Sequence, residues 1–141
     1  MLRSPVNERQ AHFSPDGRWL AFTSDESKQD EVYVQSIDDP DVRLQVSVNG
    51  GDDPRWRSDG RELFYVSRDG YLVSAAVRHT GDRLVTDPPQ RLFQLRAAPS
   101  RPPYLSSYDV TPDGRRFLVR ITQSDSRSLP LTVLVNPRIP R

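Results

Sequence analysis

The sequence predicts an all-β fold, a partial β-propeller of about three four-stranded antiparallel blades, the last of them incomplete. Three observations carry this. First, one turn recurs as Asp16-Gly17-Arg18, Asp59-Gly60-Arg61 and Asp113-Gly114-Arg115, with an apolar residue (Phe13, Trp56, Val110) three positions before each aspartate. An apolar run follows each turn, the pattern of two strands joined tightly. Second, those runs, Leu20-Ala21-Phe22, Leu63-Phe64-Tyr65-Val66 and Phe117-Leu118-Val119, do not alternate with polar residues. A strand covered on both faces reads this way, whereas a strand of a single sandwich keeps one wet face. Third, no segment shows a helical period.

The turn glycines stand at 17, 60 and 114, so the intervals are 43 and 54 residues. The first matches one four-stranded blade. Residues 1–9 read as an N-terminal extension or the end of a preceding blade. Blade 1, residues 10–52, takes strands at Gln10 to Phe13, Trp19 to Thr23, Val32 to Ile37 and Arg43 to Val48, with a loop from Ser24 to Glu31 and a closing turn Asn49-Gly50-Gly51-Asp52. Blade 2, residues 53–103, takes Pro54 to Arg57, Glu62 to Ser67, Tyr71 to Val77 after the Arg68-Asp69-Gly70 turn, and Arg91 to Leu95. The surplus of the longer interval coincides with Pro88, Pro89, Pro99, Pro102 and Pro103, which predicts an irregular inter-blade insertion rather than extra strands. Blade 3, residues 104–141, offers Tyr108 to Thr111, Arg116 to Ile121 and Leu131 to Asn136, and no outer strand.

Backbone geometry explains the repeated pair. Glycine reaches positive φ without a Cβ penalty, and the aspartate carboxylate accepts hydrogen bonds from turn amides. Asp16, Gly17, Asp59, Gly60, Asp113 and Gly114 are therefore expected to be structural turn residues.

Ser14-Pro15-Asp16-Gly17, lying between an aromatic and an apolar strand, resembles the WD-repeat-like propeller repeat of the TolB type. Arg57-Ser58-Asp59-Gly60 and Thr111-Pro112-Asp113-Gly114 each depart from that pattern at one position, and the resemblance runs from about Gln10 to Asn136. The stretch Tyr108 to Val119, with the ending Leu131 to Asn136, also resembles the final propeller blade that follows some bacterial serine/threonine kinase domains. Such families use the propeller as a rigid disc that binds proteins or peptides, or as a sensor or gate attached to a catalytic domain. Relatives of this repeat type are often extracytoplasmic, although the residues themselves set no compartment. Closed propellers have four to eight blades. Three blades imply a partner, either a second copy completing a six-blade ring or the missing blades of a longer chain.

Composition narrows the chemistry. Twenty basic and nineteen acidic residues alternate along the chain, and all but one of the basic residues are arginine, the exception being Lys28. This balance predicts solvated surface pairs and no nucleic-acid partner. The absence of cysteine excludes disulfides, thiolate metal sites and cysteine nucleophiles. The first eight residues lack the apolar run of a signal peptide, and no later stretch is long enough to span a bilayer, so no export signal or membrane insertion is expected in this chain.

No catalytic residue, cofactor or metal site is expected. His12 and His79 stand outside any nucleophile-and-carboxylate spacing and read as incidental. The chain holds no Gly-x-Ser-x-Gly elbow and none of the kinase motifs. Asp38, Asp39 and Asp41, and separately Asp52 and Asp53, lack calcium-loop spacing and read as turn chemistry. Ser14-Pro15-Asp16-Gly17 also lacks the residue that a sialidase aspartate box carries between aspartate and glycine. Of the aromatics, Trp19, Trp56, Tyr65 and Tyr71 occupy positions where a blade core needs bulk. Tyr104, among prolines, is the one expected ligand contact. The sequence therefore predicts a non-catalytic interaction or scaffold module for a protein or peptide, the alternative being a sensor or gating fragment of a larger enzyme such as a serine/threonine kinase or a prolyl-oligopeptidase-like hydrolase.

Overall fold

The computed structural model describes residues 8–80, 83–95, 108–120 and 131–135. They form strands in three antiparallel sheets, and no helix is present among them. The first sheet joins β1 (Glu8–Phe13), β2 (Trp19–Ser24), β3 (Glu31–Ser36) and β4 (Arg43–Gln45) in sequence order. The second contains β5 (Gly51–Trp56), β6 (Glu62–Ser67), β7 (Tyr71–Thr80), β8 (Arg83–Thr86) and β9 (Gln90–Gln94), and the third β10 (Tyr108–Val110), β11 (Arg116–Arg120) and β12 (Leu131–Val135). Each sheet is a blade of up-and-down strands.

The Asp-Gly turns join the first two strands of every blade. The glycines adopt φ of 73°, 72° and 70° at Gly17, Gly60 and Gly114, a region costly for a residue with a Cβ. Each glycine N–H closes the turn onto the carbonyl three residues back, at 2.9, 2.9 and 2.8 Å. Each aspartate Oδ1 accepts the backbone N–H of the following arginine, at 3.0 Å (Arg18), 2.9 Å (Arg61) and 2.9 Å (Arg115).

The unbroken apolar runs have a direct structural cause. Side chains alternate across a sheet, and blade 2 has a neighbour on both sides. Leu63 and Tyr65 of β6 join Trp19, Ala21, Val32 and Val34 of blade 1 in one core cluster. Phe64 and Val66 join Tyr108, Phe117 and Val119 of blade 3 in the other. Phe22 and Tyr33 belong to neither cluster. They stack on the far face of blade 1, 5.9 Å between centroids, with the Arg43 guanidinium 4.8 and 4.9 Å from the two rings. Arg43 is also ion-paired to Glu26. Blade 2 repeats the device at its outer strand, where Arg91 lies 4.3 Å from the Tyr71 ring and 2.6 Å from Asp69.

Two expectations are corrected. Part of the surplus in the second repeat interval is strand rather than proline-rich loop. Residues Val77–Thr80 of β7 pair with β8, while Tyr71–Ser74 of the same strand pair with β9. The strand period was invisible because Arg78, His79 and Thr80 are exposed and β8 buries only Leu84 among its four residues. Pro99, Pro102 and Pro103 lie outside the described residues. The outer strand of blade 1 is also shorter than expected, β4 ending at Gln45 with Val48 exposed. Beyond it Ser47 turns inward, its hydroxyl donating to Glu31 and accepting the Val32 N–H at 2.8 Å.

Buried phenols make the fold sensitive to alkali. Burial, reinforced by Glu31, pushes the Tyr65 hydroxyl up to about 12, and burial holds Tyr108 well above the ordinary tyrosine range. Unfolded phenols ionise near pH ~10, so above that pH the unfolded state binds fewer protons than the folded one and stability falls as pH rises. Titration at the tyrosinate absorption band should show two of the five tyrosines lagging the rest until the chain unfolds. Simultaneous ionisation of all five in the folded chain would contradict this burial.

Candidate functional site: the convergence of the first strands

The first strands β1, β5 and β10 approach one another, and each of the first two carries a bulge at the same repeat position. Gln10 and Asp53, both seven residues before their turn glycine, adopt φ of 57° and 60°. The register shifts between Arg9 and His12 and between Asp52 and Arg55. Positive φ is uncommon outside glycine, and a bulge re-aims the side chains that follow it.

The bulges are held by bonds between blades. Gln10 Oε1 accepts the Asp53 N–H at 3.1 Å and the Thr23 hydroxyl at 3.1 Å. The Asp53 carbonyl in turn accepts the Tyr108 hydroxyl at 2.9 Å, and the Trp56 indole N–H donates to the His12 carbonyl at 3.0 Å. Three blades are thus tied in sequence, first to second to third. The Gln10 Nε2 is buried without a hydrogen-bond partner.

Five residues before the turn glycine, beyond the bulges of β1 and β5 and at the matching position of β10, stand His12, Arg55 and Asp109. Arg55 Nη1 lies 3.8 Å from Asp109 Oδ1. Burial first and the Arg55 charge second lower the His12 pKa, against the opposing pull of Asp53 and Asp109, so the imidazole is neutral at physiological pH. The row presents an imidazole, a guanidinium and a carboxylate side by side. That set recognises polar chain groups through hydrogen bonds and charge.

The turn residues named from sequence sit elsewhere, on one end of the stack. A Cβ at Gly60 would lie 3.7 Å from Pro15 Cδ, and one at Gly114 3.1 Å from Arg57 Cδ. The Ser58 hydroxyl reaches the Pro112 carbonyl at 2.5 Å. The Ser14 hydroxyl, then the Arg18 N–H, lowers the Asp16 pKa, and the Thr111 hydroxyl, then the Arg115 N–H, does the same for Asp113. These carboxylates are engaged within their own turns. His79 projects from the β7 extension to the same end, its ring 6.3 Å from that of Trp19.

Asp38, Asp39 and Asp41 form an exposed turn in which Asp39 accepts the Asp41 N–H at 3.2 Å, while Asp52 and Asp53 lie on β5 with Asp53 fully buried. The two aspartate sets are not brought together, and no cluster of potential metal ligands occurs among the described residues. Trp19 and Tyr65 are core residues, and Trp56 and Tyr71 pack against the same cluster. Tyr104 lies outside the described residues. Sequence reasoning passed over the row of His12, Arg55 and Asp109. The signal for it was the constant offset from the glycine, visible only when the repeats are aligned column by column.

No family model and no curated protein matches this chain. Solved structures do. TolB from Acinetobacter baumannii, a β-propeller, superposes with a TM-score of 0.65 over 97% of this chain and 31% of its own, at 16% identity. A protein bearing the name 6-phosphogluconolactonase, from Bacteroides uniformis, superposes with a TM-score of 0.55 over 84% of this chain and 34% of its own, at 19% identity. The chain thus spans about a third of the length of either. The fold is that of a TolB-like propeller segment.

Proposed function

We propose that this chain is a non-catalytic interaction module that binds a protein or peptide. The observation supporting this reading is the convergence of β1, β5 and β10, where His12, Arg55 and Asp109 stand side by side on strands tied to one another by hydrogen bonds between blades. Rigid strands hold these groups ready, so a bound chain would not have to meet the cost of ordering them. Neither histidine is joined to a nucleophile and an orienting carboxylate in a catalytic geometry. Nucleic acid is disfavoured as a partner by the near-neutral charge, and no described helix is long and apolar enough to cross a membrane.

The test is selection from a displayed peptide library on the purified chain, followed by titration of the enriched peptides. The expected outcome is saturable binding that Arg55→Ala weakens about tenfold, the effect of one charge-assisted contact. Failure to enrich any peptide, or turnover of 6-phosphogluconolactone by the chain, would overturn the reading. A second reading, a sensor or gating segment of a larger enzyme, draws support from the one-third coverage of the matched structures. A catalytic domain encoded in frame beside this segment would favour it.

A further inference from the structure

The crossing from blade 1 to blade 2 carries the one asparagine of this chain that precedes a glycine. Of the three asparagines, Asn7 precedes Glu8, Asn136 precedes Pro137 and Asn49 precedes Gly50. The pairing matters chemically, because the backbone nitrogen after an asparagine can attack that asparagine's own side-chain amide. Glycine leaves this nitrogen unshielded and its backbone free to rotate, whereas proline has no N–H to give up. Asn49 is exposed and Gly50 is buried, at φ of 62° and 107°. The asparagine thus meets solvent, while the nitrogen that would attack it lies inside the fold.

That nitrogen is held by a carboxylate. The Gly50 N–H donates to Glu31 Oε1 at 2.9 Å, and Glu31 is 1% exposed. Around this bond, Gln29 Nε2 donates to the same Oε1 at 2.7 Å, and Arg68 Nη1 donates to Gln29 Oε1 at 3.1 Å. The Arg68 stem lies over Gly50 itself, where an added Cβ would come 2.5 Å from Arg68 Cβ. The neighbouring Gly51 N–H is fixed on the Asp30 carbonyl at 2.9 Å. Geometry and charge therefore both oppose attack. Rotation that would bring the nitrogen to Asn49 Cγ breaks a buried hydrogen bond. Loss of the amide proton would also build negative charge beside a carboxylate away from water, where like charges repel strongly.

We infer that Asn49 and Gly50 form a site of spontaneous covalent modification that Glu31 keeps latched, so that Asn49 converts only when the crossing opens. The inference is independent of the peptide-binding reading. Once the Gly50 N–H leaves Glu31 in a local opening, the nitrogen gives up its proton and bonds to Asn49 Cγ. The side-chain nitrogen departs as ammonia, taking up a proton, and a cyclic succinimide remains. Water then opens the ring at either carbonyl, giving aspartate or isoaspartate. The net change is one water consumed and one ammonia released. Isoaspartate places the side-chain methylene in the main chain just ahead of Gly50, which shifts its N–H relative to the Glu31 carboxylate. Aspartate instead adds a negative charge to a crossing that already buries one. Neither product reverts in the absence of an amide donor, so the crossing keeps a one-way record of its opening.

The experiment is incubation of the purified chain near neutral pH, with released ammonia measured and the tryptic peptide Leu44–Arg55 mapped by mass spectrometry over time. Ammonia and the amide-to-acid mass gain separate this reaction from isomerisation at the Asp-Gly turns, which produces neither. In the folded chain Asn49 should convert at least about tenfold more slowly than in the same chain unfolded by denaturant, as a site that reacts through local opening must. Glu31→Ala should speed the folded-state conversion about tenfold, and Glu31→Gln by a smaller factor, since both the bond and the opposing charge are altered. Circular dichroism on every sample establishes that the chain is folded, and Glu31→Gln carries the test should Glu31→Ala lose structure. Phe64→Ala, at the junction of blades 2 and 3, lowers stability without touching the crossing and should leave Asn49 near the wild-type rate while folded. Equal rates in the folded and unfolded chain, Glu31 variants no faster than wild type, or Phe64→Ala as fast as the Glu31 variants would overturn the inference.

Discussion

Replacing Phe64 with alanine is expected to destabilise the chain by about 4 kcal/mol, since truncating a buried phenylalanine costs roughly 3–5 kcal/mol. Phe64 is 0% exposed and stands at the junction of blades 2 and 3, its ring edge-on to Phe117 at 5.3 Å. Phe117 in turn meets Phe93 at 5.7 Å, so the cavity would open at one end of a three-ring stack. The rings sit on strands that pair elsewhere and cannot collapse to fill the void, which places the cost toward the upper part of the range. Total stability of a domain is about 5–15 kcal/mol, so urea unfolding should show a large drop in midpoint. Val85→Ala, at a position 39% exposed, should move the midpoint by less than about 0.5 kcal/mol equivalent. Equal shifts for the two variants would mean that the junction between blades 2 and 3 is not packed as described.

Glu31→Ala should cost about 3 kcal/mol, because it strips the partners from several buried groups at once. Glu31 is 1% exposed. Its carboxylate accepts the Gly50 N–H at 2.9 Å, the Gln29 amide at 2.7 Å and the Ser47 hydroxyl. Ser47 and Gly50 belong to the crossing from blade 1 to blade 2, where Asn49 and Gly50 adopt φ of 62° and 107°. The Glu31 carboxylate thus ties both sides of this crossing, which the Gly51 N–H also anchors on the Asp30 carbonyl at 2.9 Å. Glu31→Gln preserves the shape but turns an amide N–H₂ toward donors, so an intermediate loss is expected. The tryptophans Trp19 and Trp56 lie on the two blades joined by this crossing, and their fluorescence can follow the unfolding. Hydrogen exchange at the Gly50 amide should accelerate in both variants. Unchanged exchange there would show that the carboxylate does not hold the crossing.

The blade order, the turns and the two-sided burial of β6 were legible in the sequence. Each is written within about ten residues: Asp-Gly with its glycine at φ near 70°, and an apolar run whose odd and even members face different neighbours. Local signals of this kind depend on backbone sterics and burial alone. The candidate site was only half legible. His12, Arg55 and Asp109 are visible as a column of the repeat, yet nothing local says that this column faces a common space.

What the tertiary structure alone decided are the bulges, the β7 extension and the Glu31 clamp. Gln10 takes its strained φ by accepting the N–H of Asp53, 43 residues on, and Asp53 is held by Tyr108, 55 residues further. The β7 extension survives because Leu84 reaches the cluster around Trp19, a residue of another blade. Period and turn chemistry are set by a residue and its near neighbours, so the sequence by itself determined the blades. Bulges and buried polar bonds exist only when a distant partner arrives to satisfy them, so the convergence of the first strands was settled by the packing of blade on blade.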